Sequence, residues 1–289
     1  MNEECFTLRF EDGFIHGILH KPYHFFDSGE QKIIVFLHGW AGYRVGPHDM
    51  LVKLARKLAL AGYHCLRFDF RGKGFSYSRN SSLSNITMLS DLEMVLEYVE
   101  KKILIKRITL LGICSGAKLA LYYGKTGTKS IENIIEISST LLKNQNSTKL
   151  KIENVKANWK EYYSKLFYKE TWEKIFSGTI SYSQILENVF GSLNKLNRSV
   201  QKRNKMPVEI INRKGINEPF ANLKGNVLSI HGEKDPETKF VIPQIIELIN
   251  KYGLNVETHI INGANHSFYS LTWEQELFNI ITNWLNKKS

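Results

Sequence analysis

The sequence predicts an α/β protein with a mostly parallel central sheet, helices on both faces and a helical insertion. Three observations lead there. Short apolar runs of strand length alternate with segments of helical period at both ends of the chain. That alternation stops near residue 138 and resumes near 224, so residues 1–137 and 224–289 form one core and 138–223 interrupt it. With 289 residues and 43% hydrophobic composition, the chain can fill one large core and is too apolar for disorder.

Each element follows from a local signal. Phe6–Phe10, a turn at Asp12-Gly13 and Phe14–Leu19 read as a β-hairpin. Lys32–His38 is continuously apolar apart from its ends, as a strand covered on both faces requires. A helix is expected over about 49–61, with Gly62 beyond its end, then a strand over His64–Asp69 and a loop rich in Gly and Ser over 71–84. A helix over 88–101, a strand over Arg107–Leu111, a helix over 115–123 and a strand over Ile131–Ile137 continue the rhythm. In the insertion, Trp, Tyr, Lys and Asn dominate, with helix-like pieces near 155–176 and 182–196. Strand Asn226–His231, helix Ile242–Lys251, strand Val256–Ile261 and helix Glu274–Lys287 close the chain. Such alternation implies right-handed crossovers.

Charge and special residues narrow the function classes. The net charge is +11, but residues 141–225 hold 16 Lys and Arg against 7 Asp and Glu, so nearly all of the excess sits in the insertion. A basic insert on a near-neutral body points to solvation or a local anionic partner rather than to nucleic acid. No run approaches the roughly 18 apolar residues of a membrane span. Three cysteines cannot all pair, and the acidic amino terminus lacks an apolar signal segment, so a reduced, cytoplasmic protein is expected. Gly72-Lys73-Gly74 and Gly124-Lys125-Thr126 lack P-loop spacing, no dinucleotide fingerprint occurs, and the histidines lack metal-ligand spacing. No cofactor and no metal are expected.

The sharpest chemical signal is Gly112-Ile113-Cys114-Ser115-Gly116, placed where a strand becomes a helix. Its spacing is that of a nucleophile elbow, in which small flanking residues permit a tight strained turn. Centring the motif on Ser115 would demand a small residue where Ile113 stands, so Cys114 is the candidate nucleophile. A buried structural cysteine is the plainer alternative. Asp235 follows the strand Asn226–His231, and His266 follows the strand Val256–Ile261. Either residue alone is more often an ordinary loop residue, but the order nucleophile, acid, histidine on successive strand ends is that of one fold family.

The chain resembles the α/β-hydrolases, in the branch of serine aminopeptidases, monoglyceride lipases and thioesterases. The matching residues are the elbow, Asp235, His266, the turn Leu37-His38-Gly39-Trp40 and the loop Asp69-Phe70-Arg71-Gly72-Lys73-Gly74-Phe75-Ser76. The resemblance implies an oxyanion hole made by the backbone amides of Trp40 and Ser115, with His38, Gly39, Gly112 and Gly116 shaping the site. Asp69 and Arg71 are then structural. The departure is Cys114 where most members have serine; in this the chain resembles dienelactone hydrolases, polyhydroxyalkanoate synthases and exosortase-associated hydrolases.

Three functions stay open: an esterase or thioesterase using a covalent acyl-thioester, an acyltransferase of the same architecture, and a ligand-binding protein without turnover. Expected partners are a small acyl ester or thioester, with an acyl carrier protein or coenzyme A as the natural anionic partner of the insertion. Arg198, Lys202, Arg203, Lys205, Arg213 and Lys214 form the candidate docking patch. The aromatics of the insertion recur near helical spacing, as a lid packing over the sheet would require.

Overall fold

The computed structural model describes residues 2–22, 31–79, 83–103, 105–139, 225–253 and 255–288. They belong to one compact unit of the chain, Met1–Leu142 with Glu218–Ser289. Residues 140–224 lie outside the described residues, and with them the two expected insert helices, the aromatic stripe and all six residues of the docking patch.

The opening hairpin pairs β1 (Glu3–Phe10) with β2 (Gly13–His20), closing at Phe10 opposite Gly13. Strand β2 runs antiparallel to β4 (His64–Phe68), and the remaining main pairings are parallel. Across the sheet the order is β1-β2-β4-β3-β6-β7-β8-β9, with β3 at Gln31–Leu37, β6 at Ile105–Ile113, β7 at Asn133–Ile137, β8 at Asn226–Gly232 and β9 at Val256–Ile261. A two-residue strand, β5 (Tyr77–Ser78), pairs with β2 inside the stretch that reads as loop in the sequence. Two residues carry no periodicity, so that strand had no local signal.

The pleat explains the apolar runs. Along β3, Ile33, Val35 and Leu37 enter one core layer, whereas Ile34 and Phe36 enter the other. The first layer contains residues of α2 (Asn85–Lys102), α3 (Ser115–Thr126) and α4 (Thr238–Tyr252); the second is filled by α1 (Met50–Leu60) and α5 (Leu271–Lys288). A sheet covered on both faces needs apolar side chains in both directions along each strand.

Helix α2 starts a turn before its apolar periodicity, because Ser84 and Thr87 form a reciprocal capping box. Helix α4 likewise begins at Thr238, ahead of the expected Ile242, and carries Pro243 within it. None of the described helices is long and apolar enough to cross a membrane.

The order places β4 on one side of β3 and β6 on the other. The chain therefore reverses its direction of winding between β3 and β6, and their carboxyl ends flank the crevice where open α/β sheets hold ligands.

The last helix closes the second layer through Trp284, only 2% exposed. Trp284→Ala is expected to cost about 3–5 kcal/mol, read as a lowered urea midpoint with little change in slope. A loss below about 0.5 kcal/mol, the range of surface substitutions, would contradict this packing.

Candidate active site

The elbow is built by close approach. The Cys114 amide donates to Ile137 O at 2.9 Å, fastening the end of β6 to β7, and Cys114 itself takes φ 56° and ψ −118°. A non-glycine residue in that region is strained, by roughly 1–3 kcal/mol. The strain falls on Cys114, while Ser115 opens α3. A Cβ on Gly116 would strike the Leu37 carbonyl, and one on Gly112 would strike the Gly116–Ala117 backbone. Both glycines are therefore required for α3 to start against the end of β3.

The acid and the histidine stand on two loops stitched together. Lys234 N donates to Ala264 O at 2.8 Å, Glu233 N to Ile261 O at 3.0 Å, and Gly263 N to Glu233 Oε2 at 2.8 Å. Asp235, 3% exposed, is fixed through both oxygens: Oδ1 accepts from Glu237 N at 3.0 Å, and Oδ2 lies 2.6 Å from His266 Nδ1. The histidine loop is held by Asn265 Oδ1, which accepts from Ser267 N and Tyr269 N, each at 3.1 Å. Phe268, with φ 50°, drives its ring into the core below.

Electrostatics follow from that geometry. Burial works against charge on His266, but its bonds with Asp235 and with Cys114 prevail and raise its pKa to about 10. Burial likewise opposes charge on Asp235, yet the hydrogen bond from His266 holds its carboxyl below the usual carboxylate value. The structure thus joins His266 to Asp235 by a hydrogen bond, with Cys114 among the groups that act on the same ring.

On the other side of Cys114 lies the turn after β3. His38 is 1% exposed, and burial lowers its pKa, so the ring is neutral. Its Nε2 accepts from Phe70 N at 3.2 Å, which leaves Nδ1 to donate to Gly39 O at 2.8 Å. That fixes the Gly39–Trp40 peptide, where a Cβ on Gly39 would stand 3.4 Å from Cys114 Cβ. The Trp40 amide donates to Ser115 Oγ at 2.6 Å, a contact to which no sequence spacing points.

The loop after β4 is held from beneath. Asp69 accepts from Arg44 N at 2.6 Å and from Phe75 N at 2.9 Å and is ion-paired with the Arg44 guanidinium; Arg71 pairs with buried Asp91.

Comparison with known proteins agrees with this fold. Residues 32–171 match a family model described as alpha/beta hydrolase fold. The chain superimposes on an esterase from Pyrococcus furiosus with a TM-score of 0.63 at 16% identity, covering 98% of this chain and 90% of the other. An α/β serine hydrolase homologue from Coxiella burnetii gives a TM-score of 0.60 at 17% identity, covering 99% and 98%. This chain has the α/β-hydrolase fold. A curated relative, the lysophosphatidylserine lipase ABHD12 of Danio rerio, is 35% identical over 93 residues, which are 32% of this chain and 23% of that protein. The match thus spans about a quarter of the lipase's length.

One part of this α/β-hydrolase fold gave no signal in the sequence. Glu136, Ser138, Ser139, Ser229 and His231 are all fully buried, on or just after β7, which pairs with the elbow strand, and on β8, which pairs with β7. Ser229 Oγ and His231 Nε2 lie 2.9 Å apart, and His231 Nε2 lies 3.7 Å from Glu136 Oε1. Neither Glu136 oxygen has a hydrogen bond among the described residues. In the sequence these residues alternate with isoleucines, a pattern that an ordinary half-exposed strand also produces.

Imidazole NMR tests the electrostatics. His266 is expected to stay protonated through neutral pH and to lose its proton as pH rises through about 10. Asp235→Asn removes a cause of the upward shift and should move this titration down toward the ordinary histidine value. A His266 that titrates near that ordinary value in both proteins would contradict the geometry. Alkylation by iodoacetamide gives a second check. Half-buried Cys114 should react well before Cys65, which is fully buried and whose thiol burial pushes far up. Equal rates would contradict an accessible nucleophile.

Proposed function

We propose that the chain is an acyl hydrolase, an esterase or thioesterase, that works through Cys114, His266 and Asp235. The observation that carries this reading is the strained backbone of Cys114 beside a histidine whose other nitrogen is held 2.6 Å from a buried carboxylate. A side chain lifted out of a strained turn, next to a base oriented by an acid, is the arrangement of covalent acyl transfer. Similarity to proteins named as a lipase and an esterase supports the ester bond as the substrate class.

The steps follow from the groups present. With the proton already on His266, Cys114 attacks the acyl carbonyl as its thiolate, and the π electrons of the carbonyl move onto oxygen. The oxyanion is held beside the Ser115 amide and the Gly39–Trp40 turn. Collapse of the tetrahedral centre expels the leaving group, which takes the proton from His266 and leaves an acyl-thioester on Cys114. Water then attacks that thioester, giving its proton to His266; the thiolate departs and the carboxylic acid is released. Asp235 stabilises the imidazolium in both halves. Because a thiolate leaves more easily than an alkoxide, the balance favours activated acyl groups: thioesters, enol esters and lactones.

The test is turnover of a panel of short aryl esters, lactones and acyl thioesters. Cys114→Ala should abolish it, and His266→Ala should lower it by at least about 1,000-fold, as loss of the base in such a series does. Undiminished turnover in Cys114→Ala would refute the reading. Acyl product that appears on an added alcohol or amine, rather than as free acid, would favour a transferase.

A further inference from the structure

We infer that the side-chain hydroxyl of Ser115, and not the Trp40 amide, is the second hydrogen-bond donor to the oxyanion. This rests on the acyl-hydrolase reading above and deepens it. In the resting structure the Trp40 N–H is already spent, donating to Ser115 Oγ at 2.6 Å. A backbone amide has one proton, so it cannot also point at a developing oxyanion without giving up that bond. The hydroxyl can serve both sides. Its oxygen accepts from Trp40, its own proton has no acceptor among the described residues, and it belongs to the residue directly after Cys114.

Position agrees with the role. A Cβ on Gly39 would lie 3.4 Å from Cys114 Cβ and 3.9 Å from Ser115 Oγ, so the hydroxyl and the nucleophile face the same small space beside the turn. Accepting a hydrogen bond polarises a hydroxyl and makes it a stronger donor. The neutral ring of His38, bonded to Gly39 O at 2.8 Å, holds the peptide that aims the Trp40 amide at Ser115. The hole then consists of the Ser115 amide and the Ser115 hydroxyl, with Trp40 acting through the latter. In the attack step the hydroxyl only donates a hydrogen bond, and its proton stays on Oγ.

Turnover of a short aryl ester by Ser115→Ala and Ser115→Thr decides between this and a passive contact. For Ser115→Ala, kcat should fall about 100-fold, the usual effect of losing one oxyanion donor, with KM little changed. Affinity for an alkyl trifluoromethyl ketone, which forms a tetrahedral adduct bearing the oxyanion, should weaken in parallel. Iodoacetamide labelling of Cys114 and the melting temperature should stay near those of the parent, and Ser115→Thr should recover most of the lost rate. If the hydroxyl merely occupies the Trp40 amide, Ser115→Ala frees that amide and kcat is unchanged or higher; this would overturn the inference and leave the acyl-hydrolase reading standing. A parent protein inactive on every ester and thioester would instead overturn the reading beneath it.

Discussion

A single residue, Cys114, must leave strand β6 and enter helix α3 within one peptide, and it does so with a positive φ that its side chain disfavours. Most of the site depends on that turn. Gly112 and Gly116 let the backbone close against itself and against the end of β3. The bond from the Cys114 amide to Ile137 O ties the turn to the neighbouring strand, so the strain is held by the sheet rather than relieved by a shift. A cost of roughly 1–3 kcal/mol is tolerable only where surrounding contacts over-determine the conformation. Cys114 thereby sits at the reversal between β3 and β6, the place where open α/β sheets hold ligands.

Around that point the fold arranges charge on one side and neutral donors on the other. The β8 and β9 loops, bonded to each other through backbone groups, hold Asp235 and His266 so that the imidazole keeps its proton to about pH 10. His38, buried and neutral, governs the opposite wall by ordering the Gly39–Trp40 peptide. Two histidines thus take opposite protonation states because one gains a buried carboxylate while the other gains only backbone partners. Both states suit the proposed acyl transfer: the first sets a positive charge beside the Cys114 sulfur, and the second leaves the oxyanion side to hydrogen-bond donors.

How much of this could be read from the sequence depends on how local each signal is. The parallel sheet was legible because strands covered on both faces write continuous apolar runs, as in Ile33–Leu37. Asp235 and His266 were legible as candidates because each lies shortly past the carboxyl end of a strand. The helix start at Asn85 was shifted because a Ser–Thr box carries no apolar period, and that at Thr238 because Pro243, in the second turn, is a residue usually met at a helix start. The bond between Trp40 and Ser115 joins residues 75 positions apart, and the Glu136–His231 cluster joins adjacent strands. Neither has a local signature; only the pairing of β3, β6, β7 and β8 creates them. The expected insertion and its basic patch lie outside the described residues.

The covalent intermediate is the central chemical claim, and it can be weighed directly. Acid-quenching the protein seconds after mixing with an acyl thioester, followed by proteolysis and mass spectrometry of the peptides, locates any acyl group. The expected result is one acyl mass on the peptide that holds Cys114, labile to neutral hydroxylamine as a thioester is, and absent in His266→Ala over the same interval. An acyl group on Ser115, or steady turnover with no acylated peptide when the quench is fast enough to trap it, would contradict a cysteine nucleophile.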